Sequence, residues 1–242
     1  MAGAMIWDLP TRVFHWTLAA GFAAAAVIAL GLDEDSAAFP YHALIGLTIA
    51  LMVVLRVVWG LVGSRYARFA TLSLRPRAVA EYLRGVATGR GTRHVGHNPA
   101  SAYAIVAMFA LLLTLAATGV MMGRGIEVAK GVHEACAYAM VAVVGAHVLG
   151  VILHTVRHRE NIVASMVHGR KEADHAQGIS RTHPIVAVVF VIVVAAWGVG
   201  LASNYDGAAR ATRVPVLGVA LGLGEAEGPE RESRRHDDER DD

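Results

Sequence analysis

Residues 132–154 of the chain read VHEACAYAMVAVVGAHVLGVILH. This segment is long enough to cross a bilayer as a single helix, and its only charged residue is Glu134. His133 and His147 are fourteen residues apart. At 100° per residue, that separation returns to within about 40° of the same helix face, and at about 1.5 Å per residue it corresponds to about 21 Å along the axis. One predicted helix therefore offers an imidazole near each membrane surface.

Four further apolar segments have the length of a membrane span, in a chain of 242 residues that is 55% hydrophobic. None of them alternates polar and apolar residues with a period of two, which argues against strands. Three of the four contain no charged residue, and the other contains only Arg56. The sequence therefore predicts an all-α integral membrane protein. The five predicted spans cover residues 13–32, 41–63, 101–123, 132–155 and 184–202.

Capping residues and prolines mark the predicted helix starts. Asp8 lies two residues before Pro10, and Asn98 lies directly before Pro99. Pro40 precedes the second span. These patterns are typical of first helical turns. His97 lies in the same turn as Asn98 and, like the other histidines of the connecting segments, is expected to be solvated.

The histidines in the spans can be matched by their depth in the membrane. His42 begins the second span on the same side as His133, and His15 lies near the start of the first span, level with His147. Two such pairs are what two bis-histidine haems, one above the other, require. A six-coordinate iron has no vacant position for substrate, which indicates electron transfer. Any one of these histidines alone could instead be a hydrogen-bonded packing residue.

Other sequence features agree with two non-covalent haems b in a four-helix bundle. The chain has one cysteine, Cys136, so it has no CxxCH motif for covalent haem attachment and no disulfide framework. Small residues near the histidines would leave room for a bulky ring, although they also serve ordinary helix packing. They are Ala43, Gly46, Gly145, Ala146 and Gly150.

The distribution of Lys and Arg predicts the orientation. Seven arginines lie between spans two and three, and five Lys or Arg lie between spans four and five, whereas residues 33–39 contain none. The positive-inside rule then places the N-terminus in the cytoplasm and the C-terminus in the periplasm, for a multi-pass protein of a bacterial inner membrane.

The chain is expected to divide into three parts. Residues 1–170 form the di-haem four-helix transmembrane domain, which includes a short amphipathic helix at about 75–90. That helix either lies on the inner membrane surface or is an exposed helix in a loop. Residues 171–203 form a linker and the fifth transmembrane helix. Residues 204–242 form a polar, disordered periplasmic tail, because the last part is rich in Glu, Asp and Arg.

Several motifs in the chain resemble the prokaryotic cytochrome b561 family, and the resemblance covers roughly residues 5–170. The motifs are WDLPTRVFHW at 7–16, YHALIGL at 41–47, LRVVWG at 55–60, GHNPAS at 96–101, residues 132–154 quoted above, and RHREN at 157–161. The family includes the cytochrome b subunits of nickel–iron hydrogenases and the bacterial superoxide oxidase. The resemblance implies that His15 and His147 bind an inner haem, that His42 and His133 bind an outer haem, and that electrons pass between membrane quinone and a periplasmic redox partner.

Three further side chains are candidates for cofactor or quinone contacts. Arg56 lies fourteen residues after His42 on the same helix face, so it either contacts a haem propionate or snorkels to the membrane surface. Arg12, three residues before His15, is a second candidate for a propionate contact or, alternatively, for a quinone contact. His154 lies within about 20° of the face of His147, at the inner membrane edge. In similar proteins this position adjoins a quinone, so we expect His154 to bind a quinone and relay its proton, with a headgroup-facing histidine as the alternative.

The leading functional hypothesis is an electron carrier rather than a stand-alone enzyme. It would link the quinone pool to a periplasmic c-type cytochrome or a hydrogenase-like enzyme. An alternative is a superoxide:quinone oxidoreductase, which needs a cationic outer funnel, whereas the outer connections carry acidic residues beside Arg124 and Lys130. A proton-relay transporter without haem is a third possibility, but no span is broken in the way of inverted repeats. No nucleotide-binding motif occurs, and no nucleic-acid partner is expected.

Overall fold

Five long apolar helices form the body of the protein in this computed structural model, which describes residues 3–90 and 94–223. The long helices are α1 (Leu9–Gly31), α2 (Pro40–Val62), α4 (Pro99–Met122), α5 (Val128–His158) and α7 (Pro184–Ser203). All five predicted spans are confirmed as helices that are long and apolar enough to cross a membrane. With 31 residues, α5 is about 46 Å long and exceeds the roughly 30 Å hydrocarbon core.

The helices begin at the predicted capping residues. Asp8 accepts a hydrogen bond from the backbone N–H of Thr11 at 2.9 Å, and Asn98 accepts one from that of Ser101 at 2.8 Å. A proline occupies the first turn of α1, α2 and α4. The buried Asp8 carboxylate also accepts a hydrogen bond from the Trp59 indole at 3.0 Å, so the cap of α1 is tied to the end of α2.

The helix packing leaves α5 in contact mainly with one neighbour. α1 packs on α2, α2 on α4, and α4 on α5, while α7 lies against α1 and α2. Within the described residues, the backbone of α5 does not pack closely against α1 or α2. Val53 of α2, Leu112 of α4 and Met140 of α5 meet in a central apolar cluster. Met140 is seven residues from both His133 and His147, so this layer lies midway between them.

A small two-stranded sheet covers one end of the bundle, which we call the N-terminal face because α1 and α7 begin there and α5 ends there. β1 (Gly3–Met5) pairs antiparallel with β2 (Arg170–Glu172), which follows the short helix α6 (Ile162–His168). Gly169 joins α6 to β2 with a φ of +82°, and a Cβ there would lie 2.7 Å from the Met5 sulfur. Only glycine fits this close approach, which holds the N-terminal strand against the bundle.

The amphipathic segment forms a helix, as predicted. α3 spans Pro76–Thr88, follows a 3₁₀ turn at Phe69–Thr71 and packs on α4. Arg157 at the end of α5 donates a hydrogen bond to the Val86 carbonyl at 2.6 Å. This contact fixes α3 to the N-terminal face. Its position on a membrane surface stays a prediction.

The opposite end, which we call the C-terminal face, carries a three-stranded antiparallel sheet. Its strands are β3 (Tyr205–Asp206), β4 (Ala211–Arg213) and β5 (Ala220–Gly222). Thr212 is 1% exposed and donates a hydrogen bond to the Leu201 carbonyl at 2.7 Å. A Cβ on Gly123 would lie only 2.3 Å from the Gly222 carbonyl oxygen, so β5 rests directly on the end of α4.

This sheet differs from the disordered tail predicted for residues 204–242. Leu221 and Leu223 are buried, and Leu223 packs with Leu44 and Leu201 at the helix ends. The helix ends therefore provide an apolar surface on which residues 204–223 become ordered. The strongly charged residues 224–242 lie outside the described part of the chain, and disorder there stays a prediction.

Candidate functional site

The two histidines predicted to pair at the C-terminal face lie together. His42 in the first turn of α2 and His133 near the start of α5 have ring centroids 6.1 Å apart and ring planes at 73°. A bond from a metal to an imidazole nitrogen is about 2 Å long, so two such bonds and two ring radii amount to roughly 6–6.5 Å. The separation is therefore close to that of two imidazoles that share one metal ion.

Hydrogen bonds determine which nitrogen of each ring carries the proton. The Nδ1 atom of His42 lies 3.0 Å from the Ala25 carbonyl oxygen, which can only accept. The Nδ1 atom of His133 lies 2.9 Å from the Thr118 hydroxyl, which itself donates to the Thr114 carbonyl at 2.8 Å. The Nδ1 atom of His42 is therefore a donor, and the Thr118 oxygen is placed to accept from Nδ1 of His133. Each Nε2 atom then keeps the lone pair with which a neutral imidazole binds a metal.

The second predicted pair lies toward the N-terminal face. His15 and His147 are both partly buried and close enough to interact electrostatically. The Trp16 ring meets the His15 ring edge-on, with centroids 5.1 Å apart. Within the described residues, the Nδ1 atom of His15 is buried and has no hydrogen-bond partner. The two pairs thus lie on either side of the apolar layer around Met140.

Open space adjoins the glycines next to these histidines. A Cβ added at Gly46, Gly145 or Gly150 would meet no atom of the described chain within 4 Å. Gly46 is one turn after His42, and the other two glycines flank His147. Gly145 and Gly150 are exposed, so the space at these positions is open to the outside of the described chain, and the expectation that small residues make room for a ring stays a prediction.

Arg56, a candidate for a propionate contact, is buried and not snorkelling. It is 6% exposed, and its guanidinium carbon lies 5.9 Å from the centroid of the Phe14 ring and 5.5 Å from that of Phe69. Its Nη2 donates to the Ala67 carbonyl at 3.1 Å, whereas its Nη1 is buried with no hydrogen-bond partner among the described residues. The side chain thus has a donor available for an anion.

Arg12 and His154 also lie at the N-terminal face. Arg12 donates from Nη1 to the Val167 carbonyl at 2.5 Å, and its buried Nε has no partner within the described chain. The Nε2 atom of His154 lies 3.3 Å from the Glu160 carboxylate, and these side chains are 12% and 10% exposed. Sequence reasoning missed Glu160, although it stands only six positions after His154 in the RHREN motif.

The expectation of a solvated side chain is wrong for His97. It is partly buried, and its ring meets the Trp7 ring edge-on with centroids 4.8 Å apart. Burial, together with the positive charges of Arg56 and Lys171, lowers the pKa of His97 to about 4. His97 is therefore neutral at pH 7 and borders a positively charged region at the N-terminal face.

Comparison with known proteins identifies a family. A family model described as prokaryotic cytochrome b561 matches residues 6–169, which is more than half of the chain. Neither the curated proteins nor the solved structures gave a match. The matched segment contains α1 to α5 with all four paired histidines, and it ends before the fifth long helix α7.

Proposed function

Because the chain belongs to the prokaryotic cytochrome b561 family, and is thus a membrane b-type cytochrome of electron transfer, we propose that it holds two haems b, one at each histidine pair. His42 and His133 would hold one haem, and His15 and His147 the other. A haem b held by two imidazoles would supply one-electron exchange at its iron and would leave no position for oxygen or substrate.

The observation that carries this proposal is the arrangement of His42 and His133. Their separation of 6.1 Å suits one iron between the rings, and their Nδ1 hydrogen bonds leave both Nε2 lone pairs available. Hydrogen bonds of this kind orient metal-binding imidazoles and make them more basic. The residues present therefore fit the axial ligation of a haem.

The position of the two pairs supports electron transfer from one membrane surface to the other. His133 and His147 are separated by fourteen residues of a single helix, or about 21 Å of helix axis. This distance covers most of the roughly 30 Å hydrocarbon core. The apolar layer around Met140 lies between the pairs and keeps water out of the centre.

We propose a membrane quinol or quinone as the reaction partner at the N-terminal face. Oxidation of a quinol to a quinone breaks two O–H bonds and releases two electrons, which would pass one at a time to the haem at His15 and His147, and two protons, which would leave one after the other through His154. His154 would accept a proton from the quinol hydroxyl, and the carboxylate of Glu160, 3.3 Å away, would stabilise the resulting imidazolium. Both side chains are largely buried, which favours this role over contact with lipid headgroups.

At the C-terminal face, the proposed partner is a periplasmic c-type cytochrome or a hydrogenase-like enzyme. This assignment follows from the positive-inside rule, which puts the N-terminal face in the cytoplasm. The alternative as a superoxide oxidoreductase needs cations that face an incoming anion. Here Lys130 lies 3.3 Å from the Glu34 carboxylate, so this cation has an anionic partner within the protein.

Haem quantitation with histidine variants tests the proposal. The protein purified in detergent is expected to contain about two non-covalent haems b per chain, low-spin in both redox states. His42→Ala and His133→Ala should each remove the same haem, and His147→Ala should remove the other. His175→Ala, at an exposed histidine, is the matched control and should keep both. A folded wild-type protein without haem would refute the proposal.

A further inference from the structure

A recess of about 220 Å³ lies on the N-terminal face, where α2 ends and α7 begins. Ser64 and Arg65, which follow α2, line one side of it. Residues 178–181 and His183, which precede α7, line the other side. Of the described residues, none of the four paired histidines lines the recess, so the proposed function leaves it without a role.

Two side-chain contacts hold the walls of the recess together. The Tyr66 hydroxyl, in the turn after α2, donates a hydrogen bond to the Gln177 carbonyl at 2.8 Å. The His183 ring, directly before α7, packs edge-on against Trp59 of α2, with ring centroids 5.2 Å apart. The segment before α7 is thus attached to the end of α2, and the folded chain itself forms the recess.

Positive charge dominates the recess. Arg65 and Arg181 line it, and none of the described residues that line it is Asp or Glu. Both arginines are exposed, so a ligand can reach their guanidinium groups. Neither arginine forms an ion pair with a residue of the described chain. Guanidinium groups bind phosphate oxygens through paired N–H donors, so the recess suits a phosphate group.

The Ser64 hydroxyl adds a further donor to the recess. Its oxygen is buried and has no hydrogen-bond partner among the described residues. A buried hydroxyl without a partner is unfavourable, and a phosphate oxygen in the recess would accept its hydrogen bond. Ser64 therefore indicates a ligand with acceptor atoms, independently of the charge on the two arginines.

Apolar side chains lie next to the recess in both helices. Leu61 and Val62 end α2, Ile185 lies in the first turn of α7, and all three are largely exposed. Both helices are long and apolar enough to span a membrane, so these side chains contact lipid there. A phospholipid carries its phosphate directly above its apolar chains. The recess and its apolar borders have the same order, whereas a free phosphate would use only the polar part.

We propose that this recess binds the phosphate of an anionic phospholipid from the surrounding membrane. Arg65 and Arg181 bind the phosphate oxygens, Ser64 donates a hydrogen bond, and the acyl chains lie along the exposed ends of α2 and α7. Basic pockets between membrane helices are typical sites for anionic headgroups. Arg181 and α7 lie beyond the family-matched segment 6–169, so the lipid joins the fifth long helix to the rest of the bundle.

Native mass spectrometry of the purified full-length protein in detergent tests the proposal. Phosphatidylglycerol is expected to bind more tightly than phosphatidylcholine, which has the same phosphate but no net charge. Arg65→Gln combined with Arg181→Gln should weaken phosphatidylglycerol binding about 25-fold, because each arginine contributes about fivefold to binding of an anionic headgroup. Lysine at both positions keeps the charge and should retain most of the affinity, and Ser64→Ala should cause a smaller loss.

Arg68→Gln combined with Arg75→Gln is the matched control. Both arginines are exposed in the same connection after α2, and neither lines the recess. This variant should bind phosphatidylglycerol like the wild type. Equal losses in the two double glutamine variants would overturn the proposal, because affinity would then depend only on the overall charge of this face. Equal affinity of the wild type for the two lipids would also overturn it, and that measurement needs no variant.

Inorganic phosphate distinguishes a lipid site from a site for free phosphate. It offers the same oxygens to the arginines but has no chains to contact Leu61 or Ile185. An equal concentration of inorganic phosphate is therefore expected to leave phosphatidylglycerol bound to the wild type. Displacement of the lipid under these conditions would overturn the lipid assignment and indicate a free phosphate as the ligand.

Discussion

The Thr118 hydroxyl gives the sharpest test of the site at the C-terminal face. Thr118 is 6% exposed, and its oxygen lies 2.9 Å from Nδ1 of His133. The hydroxyl proton has the Thr114 and Leu115 carbonyls as acceptors, at 2.8 and 3.1 Å, so the oxygen is placed to accept from Nδ1 of His133. Thr118→Val keeps the shape of the side chain and removes this acceptor. We expect weaker binding of the haem at His42 and His133 and no change at the other pair.

The size of the effect follows from the loss of one part-buried hydrogen bond. Such a bond contributes about 0.5–1.5 kcal/mol. At about 1.4 kcal/mol per tenfold change in an equilibrium constant, this corresponds to roughly 2-fold to 12-fold weaker haem binding. The His133 imidazole should also become less basic, which disfavours ferric iron and raises the midpoint potential of this haem.

The loss of affinity is measured by the transfer of haem from the variant to an excess of a haem-free protein that binds haem. A redox titration measures the midpoint potential. Thr114→Val is the matched control, since among the described residues the Thr114 hydroxyl bonds to the Ala110 carbonyl one turn earlier in α4 and not to a histidine. Thr118→Ser keeps a hydroxyl and should retain the haem. Equal haem loss in Thr114→Val, or a change at both haems in Thr118→Val, would refute the assigned role of this hydrogen bond.

Three further predictions concern the two faces of the bundle. His154→Ala is expected to slow haem reduction by a short-chain quinol in stopped-flow measurements without altering haem spectra, with a smaller effect in Glu160→Gln; an unchanged rate in both would contradict the proton relay. Because the pKa of His97 is about 4 in the folded protein and about 6.5 when unfolded, stability is retained above pH 6.5 and lost as the pH falls toward 4. Between pH 7 and pH 5, the free energy of unfolding of His97→Asn should therefore fall by about 1–2 kcal/mol less than that of the wild type, as measured by thermal unfolding. Equal losses in the two proteins would argue against burial of this ring. Thr212→Val removes the hydrogen bond to the Leu201 carbonyl and should lower stability by about 1 kcal/mol, whereas Thr212→Ser should not; equal unfolding midpoints for both variants would indicate that the bond does not support the sheet.

The pairing of histidines was predictable because it depends on depth along regular helices. Spans of about 20 residues have a fixed rise per residue, so the position of a histidine within its span gives its level in the membrane. The contact between His42 and His133 agrees with this reasoning. Their hydrogen-bond partners were not predictable, since Ala25 and Thr118 reach them only through helix packing.

The connecting segments contain buried residues that the local sequence does not predict. His97 and Lys171 occur in polar stretches that are typical of solvated loops, yet both contribute to a buried region at the N-terminal face. Their burial results from β1, which pairs with a strand more than 160 residues later in the chain. No local pattern predicts such a long-range contact.

The sequence by itself determined the number of long apolar helices, their limits to within a few residues, and the level at which His42 meets His133. These features depend on apolar length and helical periodicity, which are properties of single segments. Only the tertiary structure decided which connecting residues are buried, how the His154 and Glu160 side chains pair, and that residues 204–223 form a sheet. These features depend on surfaces that exist only after remote segments have packed together.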